Sequence, residues 1–161
     1  MRMNWEEIKL LQKKPRFVYE GKDTVPGRSL GGSKLIVIDI TSDAHFYSEL
    51  LTITYNTLDD DGNDDGVNHL SVKITDGEIR RELNTDFIDL APFAVPGRQR
   101  TPGVPGDPGN ELHVAGFPWP YLWGANGSIN LDTRNDSDSE LTVTYQFHGF
   151  KFPTKDFIID G

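Results

Sequence analysis

The chain has 161 residues, the size of one domain, and it can bury roughly two-thirds of its unfolded surface in a single core. Its net charge of −9 argues against a phosphate backbone as a general partner. The absence of cysteine excludes disulfides, thiolate catalysis and cysteine-ligated zinc, and no apolar run approaches the ~18 residues that would span a membrane.

The charge is unevenly placed. Residues 1–34 hold eight bases against four acids, whereas the remaining chain holds eight bases against 21 acids. A basic leading segment on an acidic body suggests an arm of one copy lying on the body of another, or a basic terminus that stays solvated. The opening "MRMNWEEIKLLQKK" mixes acids and bases where a secretory signal needs an apolar centre, so no export signal is read.

Taken in chain order, Asn4 is placed to cap a short helix with Trp5, Ile8 and Leu11 near one face, stopped by Pro15. "RFVYEGK" (16–22) alternates as a short strand and "VPGRSLGG" (25–32) is turn chemistry. "KLIVIDIT" (34–41) reads as a buried strand, and "SELLTITYNT" (48–57) as another with Leu51, Ile53 and Tyr55 on one face. "LDDDGNDDGVN" (58–68) is a loop. "HLSVKITDGEIRREL" (69–83) predicts a hairpin in which Asp76-Gly77 supply the positive φ angles of a tight turn. "TDFIDLAPFAV" (85–95) fits a strand or a helical turn equally. "PGRQRTPGVPGDPGN" (96–110) carries prolines at 96, 102, 105 and 108 and reads as an extended excursion, incompatible with a helix or an interior strand.

The last third is the most regular. "GSINLDTRN" (127–135) points Ile129 and Leu131 inward, and "ELTVTYQFHGFKF" (140–152) places Leu141, Val143, Tyr145 and Phe147 on one face. That is the period of an antiparallel sheet wet on one side. Six to eight short strands with frequent turns predict an all-β fold: an antiparallel β-sandwich, jelly-roll-like, with an extended N-terminal arm (1–25, including the short helix) and a long Pro/Gly-rich loop. Residues 26–161 form one β-sandwich domain, with 96–125 as a Pro/Gly/aromatic excursion.

Motifs that carry chemistry are few. "DGNDDG" places Asp61, Asn63 and Asp65 at positions 1, 3 and 5 of a calcium loop with Gly66 at the turn, but Val72 stands where the bidentate Glu belongs. The reading is therefore no metal site and no cofactor. His45, His69, His113 and His148 are far apart with no paired spacing, and no nucleophile elbow or phosphate loop is present. Asn126 and Asn135 each match the glycosylation pattern in turn-like settings. No catalytic residues are assigned, and the chain is read as a non-enzyme. In "FPWPYLW" prolines 118 and 120 hold the backbone extended while Phe117, Trp119, Tyr121 and Trp123 alternate. Such a row can cap the end of a sandwich core, make a subunit contact, or form a carbohydrate platform.

The stretch from "GFPWPYLW" through the small-residue turn, "TRNDSDSE" and "LTVTYQFHGFKF" (116–153), with weaker support from the "PGRSLGG" turn and the hairpin before it, resembles a pattern in small auxiliary virion proteins of tailed bacteriophages, the cement or decoration proteins. The resemblance implies a sandwich or jelly roll that commonly forms trimers and grips a neighbour with an extended arm. It carries no catalytic residues. The partner expected is a major capsid protein or another virion protein, the location the virion after synthesis in the bacterial host cytoplasm, and the assembly a homotrimer without nucleic acid or membrane. Arg16, Phe17 and Tyr19 are the expected anchors of the arm, and Trp119, Tyr121 and Trp123 those of the excursion. The alternatives are a carbohydrate- or receptor-binding β-sandwich of tail or fibre type, and a calcium-dependent binding module.

Overall fold

The computed structural model describes residues 6, 9, 15–56, 70–90, 94–99 and 110–153. Among these, ten strands follow the chain as β1 (Arg16–Val25), β2 (Ser33–Asp39), β3 (Ala44–Asn56), β4 (Leu70–Asp76), β5 (Arg81–Glu82), β6 (Ile88–Asp89), β7 (Ala94–Gln99), β8 (Asn110–Trp123), β9 (Ser128–Asn135) and β10 (Leu141–Pro153). One 3-10 turn, Arg28–Leu30, joins β1 to β2. No helix among the described residues is long and apolar enough to cross a membrane.

The strands form two antiparallel sheets, in the orders β1-β10-β3-β8-β7 and β2-β9-β4-β5, with β6 also pairing β4. Successive strands β1 to β4 switch sheets at each step, and β8, β9 and β10 do the same on the way back. That interleaving of two Greek keys is the jelly roll expected from the sequence. The core lies between the sheets and follows the period-two pattern. Leu141, Val143, Tyr145 and Phe147 of β10 meet Leu51, Ile53 and Tyr55 of β3, and across the interface lie Ile36 and Ile38, Val72 and Ile74, and Ile129 and Leu131, all buried. One polar pin crosses this apolar layer: the hydroxyls of Tyr145 and Thr133 are 2.8 Å apart. Burial, the largest influence, pushes the Tyr145 phenol well above its ordinary range.

Several sequence expectations need correction. Residues 16–25 belong to the body, because β1 pairs along its whole length with β10, from Arg16↔Phe150 to Val25↔Leu141. The rest of the expected arm, with Asn4, Trp5, Ile8 and Leu11, lies outside the described residues. Glu6 and Lys9 are helical and form an exposed 3.1 Å ion pair. The segment 34–41 is not buried on both faces: β2 ends the second sheet, so Ile36 and Ile38 point inward while Leu35 and Val37 remain 56% and 49% exposed. The 96–125 excursion is narrower than expected, since 94–99 and 110–123 are strands. Pro96 and Gly97 are accommodated because β7 is an edge strand, where a missing N–H costs no ladder bond. Residues 100–109, which hold the other three prolines of that stretch, are not among those described, and neither are Asp61–Gly66.

The β4–β5 turn also differs. It is a four-residue loop in which the positive φ falls on Arg80 (52°) rather than on Gly77. Asp76 sets it, because Oδ1 accepts the backbone N–H groups of Glu78 (3.0 Å) and Ile79 (3.4 Å). The ambiguous segment after it resolves into a departure from the sheet. Asn84 takes the place of a strand beside β4, accepting the N–H of Ile74 through Oδ1 (2.7 Å) and donating Nδ2–H to the Val72 carbonyl (3.2 Å). Sheet pairing then resumes only for Ile88–Asp89.

The long strands are irregular at one level. Glu49 has no counterpart in either neighbouring ladder: Leu50 pairs His148 and Pro118, whereas Ser48 pairs Gly149 and Tyr121. Gly149 fits this bulge because a Cβ there would collide with the Tyr47 carbonyl. Gly149→Ala is expected to lower stability by about 1–3 kcal/mol through backbone displacement. Gly116→Ala, whose nearest neighbours stand 3.8 and 3.9 Å from such a Cβ, should be neutral or slightly stabilising. Urea unfolding of the two variants side by side checks this contrast.

Candidate functional site

The bulge at Glu49 opens β8 as well. Trp119 and Pro120 lie between the paired residues Pro118 and Tyr121 and have no Cα partner on β3. Their side of the strand is also free of β7, which pairs only residues 110–115. Ser48 holds the irregular turn of chain in place: its hydroxyl lies 2.8 Å from the Trp119 carbonyl and 3.2 Å from that of Tyr121, and it accepts the indole N–H of Trp123 at 3.1 Å.

The aromatics of β8 face the second sheet, but β5 and β6 are too short to cover them. Trp123, at the strand end, is 1% exposed and packs edge-on to Phe147 at 5.7 Å. Phe117, Trp119 and Tyr121 pack against the core and remain partly exposed. Between them and the chain leaving β5 lies a cleft of about 260 Å³, lined by Arg81, Glu82, Leu83, Pro118, Trp119, Pro120 and Tyr121.

Tyr121 is fixed on both ends of its ring. It stands edge-on to Trp123 at 4.5 Å, and its hydroxyl donates to Asp76 Oδ2 at 2.8 Å. Asp76, buried and already organising the β4–β5 turn, thereby ties that turn to β8. Burial first, and then the hydrogen bond to the Asp76 carboxylate and its charge, push the Tyr121 phenol up to about 12. Arg81 opposes this shift through its positive charge. The Arg81 guanidinium itself is exposed and takes no acceptor among the described residues, and the indole N–H of Trp119 has none either. Glu82 is held by Lys73, with Oε1 to Nζ at 2.8 Å. The cleft therefore combines an aromatic face with two donor groups that take no acceptor among the described residues, whereas Glu82, opposite Thr75 and paired with Lys73, holds its carboxylate on the outer face of the second sheet.

The six expected contact residues fall in two separate places and divide in kind. Tyr19 and Trp123 belong to the core, not to a contact surface. Tyr19 is 7% exposed, its ring is 4.9 Å from Phe46, and its hydroxyl accepts the N–H of Thr41 at 3.1 Å. Arg16 and Phe17 lie at the start of β1, with the guanidinium 5.5 Å from the Phe150 ring and Lys151 Nζ 4.1 Å above the Phe17 ring. Trp119 and Tyr121 form the cleft, on the far side of β10 and β3. The sequence reading missed Arg81, Glu82 and Asp76 as neighbours of the aromatic row, because only the β4–β9 and β3–β8 pairings bring these segments together. It also missed a second surface. Phe17, Val18, Leu30, Leu35 and Val37 are all exposed, and all belong to β1, β2 or the turn between them. The signal for it was present in the outward-facing positions of "KLIVID".

Among the described residues no three His, Asp or Glu side chains are grouped to hold a metal ion. Two of the histidines serve the scaffold. His45 Nδ1 accepts the N–H of Ala125 at 3.1 Å, and His148 Nε2 is 2.9 Å from the Thr52 hydroxyl.

No protein-family model matches the chain, and no curated protein matches it. Several solved structures share distant likeness, two of which follow. One is AvmM, which catalyses macrocyclization in alchivemycin A biosynthesis (TM-score 0.34, 10% identity, 80% of this chain covered). The chain spans 63% of that protein's length. The other is a family 3a carbohydrate-binding module from the cipA scaffolding of Clostridium thermocellum (TM-score 0.27, 10% identity, 77% of this chain and 79% of the module).

The Tyr121–Asp76 bond gives a pH signature. A phenol whose folded pKa is raised adds stability that is complete below its unfolded value near 10 and is lost as pH climbs through about 12. Tyr121→Phe should cost about 1–2 kcal/mol at neutral pH, since Asp76 Oδ2 loses its donor. The same variant should lose less stability than the parent between pH 10 and pH 12. Thermal unfolding across that range, with ultraviolet titration of the tyrosines, measures both effects.

Proposed function

We propose that this chain is a non-enzymatic structural protein of a bacteriophage virion, a cement or decoration protein that assembles as a trimer and stabilises the shell through contacts with the major capsid protein. The observation that carries the reading is the apolar flank formed by β1 and β2. Single exposed apolar side chains are ordinary, but here Phe17, Val18, Leu30, Leu35 and Val37 all belong to β1, β2 or the turn between them, the strands with which both sheets end on the same side. Neither β1 nor β2 has a strand on its outer edge among the described residues. An edge of ten residues beside one of seven is the kind of surface that a protein must cover, charge or use.

Charge does not set this flank apart, since Arg16, Lys22, Arg28 and Lys34 stand among Glu20, Asp23 and Asp39. Three of the four bases are already paired: Arg16 with Glu49 at 3.9 Å, Arg28 with Asp138 at 3.0 Å and Lys34 with Asp23 at 3.4 Å. The apolar side chains of the flank on one copy are therefore read as meeting a different face of the next. Contacts between unlike surfaces close into rings rather than two-fold pairs, which suits a trimer. The resemblance of residues 116–153 to cement and decoration proteins supplies the virion setting, and the jelly-roll order agrees with it.

The paired substitution Leu35→Lys and Val37→Lys changes only the outer face of β2. It should leave the circular dichroism spectrum and melting temperature close to those of the parent, surface changes of this kind being worth about 0.5 kcal/mol or less each. The native mass by light scattering should fall from trimer to monomer, and co-sedimentation with empty capsid shells should be lost. Removal of residues 1–14 keeps β1 whole and tests the contribution of the segment before it. A parent protein that is monomeric and ignores the shells overturns the assembly reading.

A further inference from the structure

We propose that the cleft between Trp119 and the chain leaving β5 is a saccharide-binding site that takes one pyranose ring against the indole. The reasoning starts with what the cleft cannot bind. The open side of β8 at residues 116–123 would invite an added strand, but Pro118 and Pro120 have no N–H to offer a ladder. An extended peptide cannot be held there by main-chain pairing. A proline-rich peptide needs successive aromatic slots, and among the described residues that line the cleft Trp119 is the one available ring, because Tyr121 is turned edge-on to Trp123 and tied to Asp76.

The remaining groups suit a sugar. Trp119 supplies a partly exposed indole at the rim of the core, and its flanking prolines fix the backbone that presents it. Arg81 offers a fork of donors and Trp119 an indole N–H, neither with an acceptor among the described residues. A pyranose has an apolar ring face for the indole and a rim of hydroxyls that both donate and accept. Volume agrees: about 260 Å³ lies below the usual size of pockets for drug-like ligands and admits one small ring. The site is independent of the β1–β2 flank, which lies at the other end of both sheets.

The test is a proton–nitrogen correlation titration of the whole chain with glucose, galactose, mannose, rhamnose and N-acetylglucosamine in turn. At least one sugar should give a saturable shift of the Trp119 indole resonance and of Glu82 and Leu83, while the Trp123 indole stays in place. Arg81→Ala, at an exposed position, should keep a dispersed spectrum and weaken that binding by about tenfold, the loss expected for a hydrogen bond from a charged donor. Trp119→Ala should remove the shifts at Glu82 and Leu83. The Leu35→Lys, Val37→Lys protein should bind as the parent does, so that failure of the assembly reading leaves this one intact. No saturable shift with any of the five sugars overturns the proposal. So does binding unchanged in both cleft variants, or a proline-rich peptide that takes the cleft when the sugars do not.

Discussion

Strand β8 is fourteen residues long, and the strands of the second sheet that lie across from its far half are two residues each. A sandwich is stable only where both inner faces are covered, so this mismatch decides much of the rest. Where coverage is complete, Trp123, Tyr145 and Phe147 are sealed in the core. Where it fails, the same alternation of side chains leaves Phe117, Trp119 and Tyr121 half in water. The fold closes the gap with one strong polar link rather than with more apolar surface. Asp76 caps the β4–β5 turn with one oxygen and takes the Tyr121 phenol with the other. A charge-assisted bond to a buried carboxylate is worth more than a neutral one, and both Asp76 oxygens accept one.

The mismatch has a local cause in residues 83–87. Asn84 imitates a strand by bonding both Ile74 and Val72, and having done so it frees the chain from regular pairing. Arg134 of β9 then covers Phe87, with the guanidinium 3.6 Å from the ring centre. The second sheet is thus terminated by side chains that satisfy the edge of β4 without lengthening it. The bulge at Glu49 works in the same direction on the other sheet, since it lifts Trp119 and Pro120 out of register toward the gap.

These causes explain what the sequence could and could not reveal. Period-two burial gave β3, β4, β9 and β10 and their inward faces, because alternation is a property of a strand alone. It also gave the aromatic row, with the right residues on one side. It could not say which of those residues would be covered, since that depends on the length of a sheet built from other segments. Tyr19 and Trp123 were therefore read as anchors although they are core, and Arg81 and Glu82 were not connected with Trp119 at all. The two lie some 40 residues before it, and nothing local to either stretch indicates the approach. Proline misled in the same way: Pro96 reads as a strand breaker, yet an edge strand has one side on which no N–H is needed.

Strand order carries the last consequence. β1 and β2 end the two sheets on one flank, and β8 with β5 bounds the cleft toward the other. On the first flank Gly21 lets Ile36 and Ile38 of β2 approach β1 closely, so the sheets meet tightly there, and alternation along β2 leaves Leu35 and Val37 on the outer face. On the second the sheets part, and polar groups collect around an aromatic. One flank thus offers shape and apolar area, which suit a permanent protein contact. The other offers a single ring face and directional bonds, which suit a small polar ligand. The residues of β1 and β2 and those that line the cleft are distinct, so a contact made through the flank does not itself use the groups that would hold the ligand.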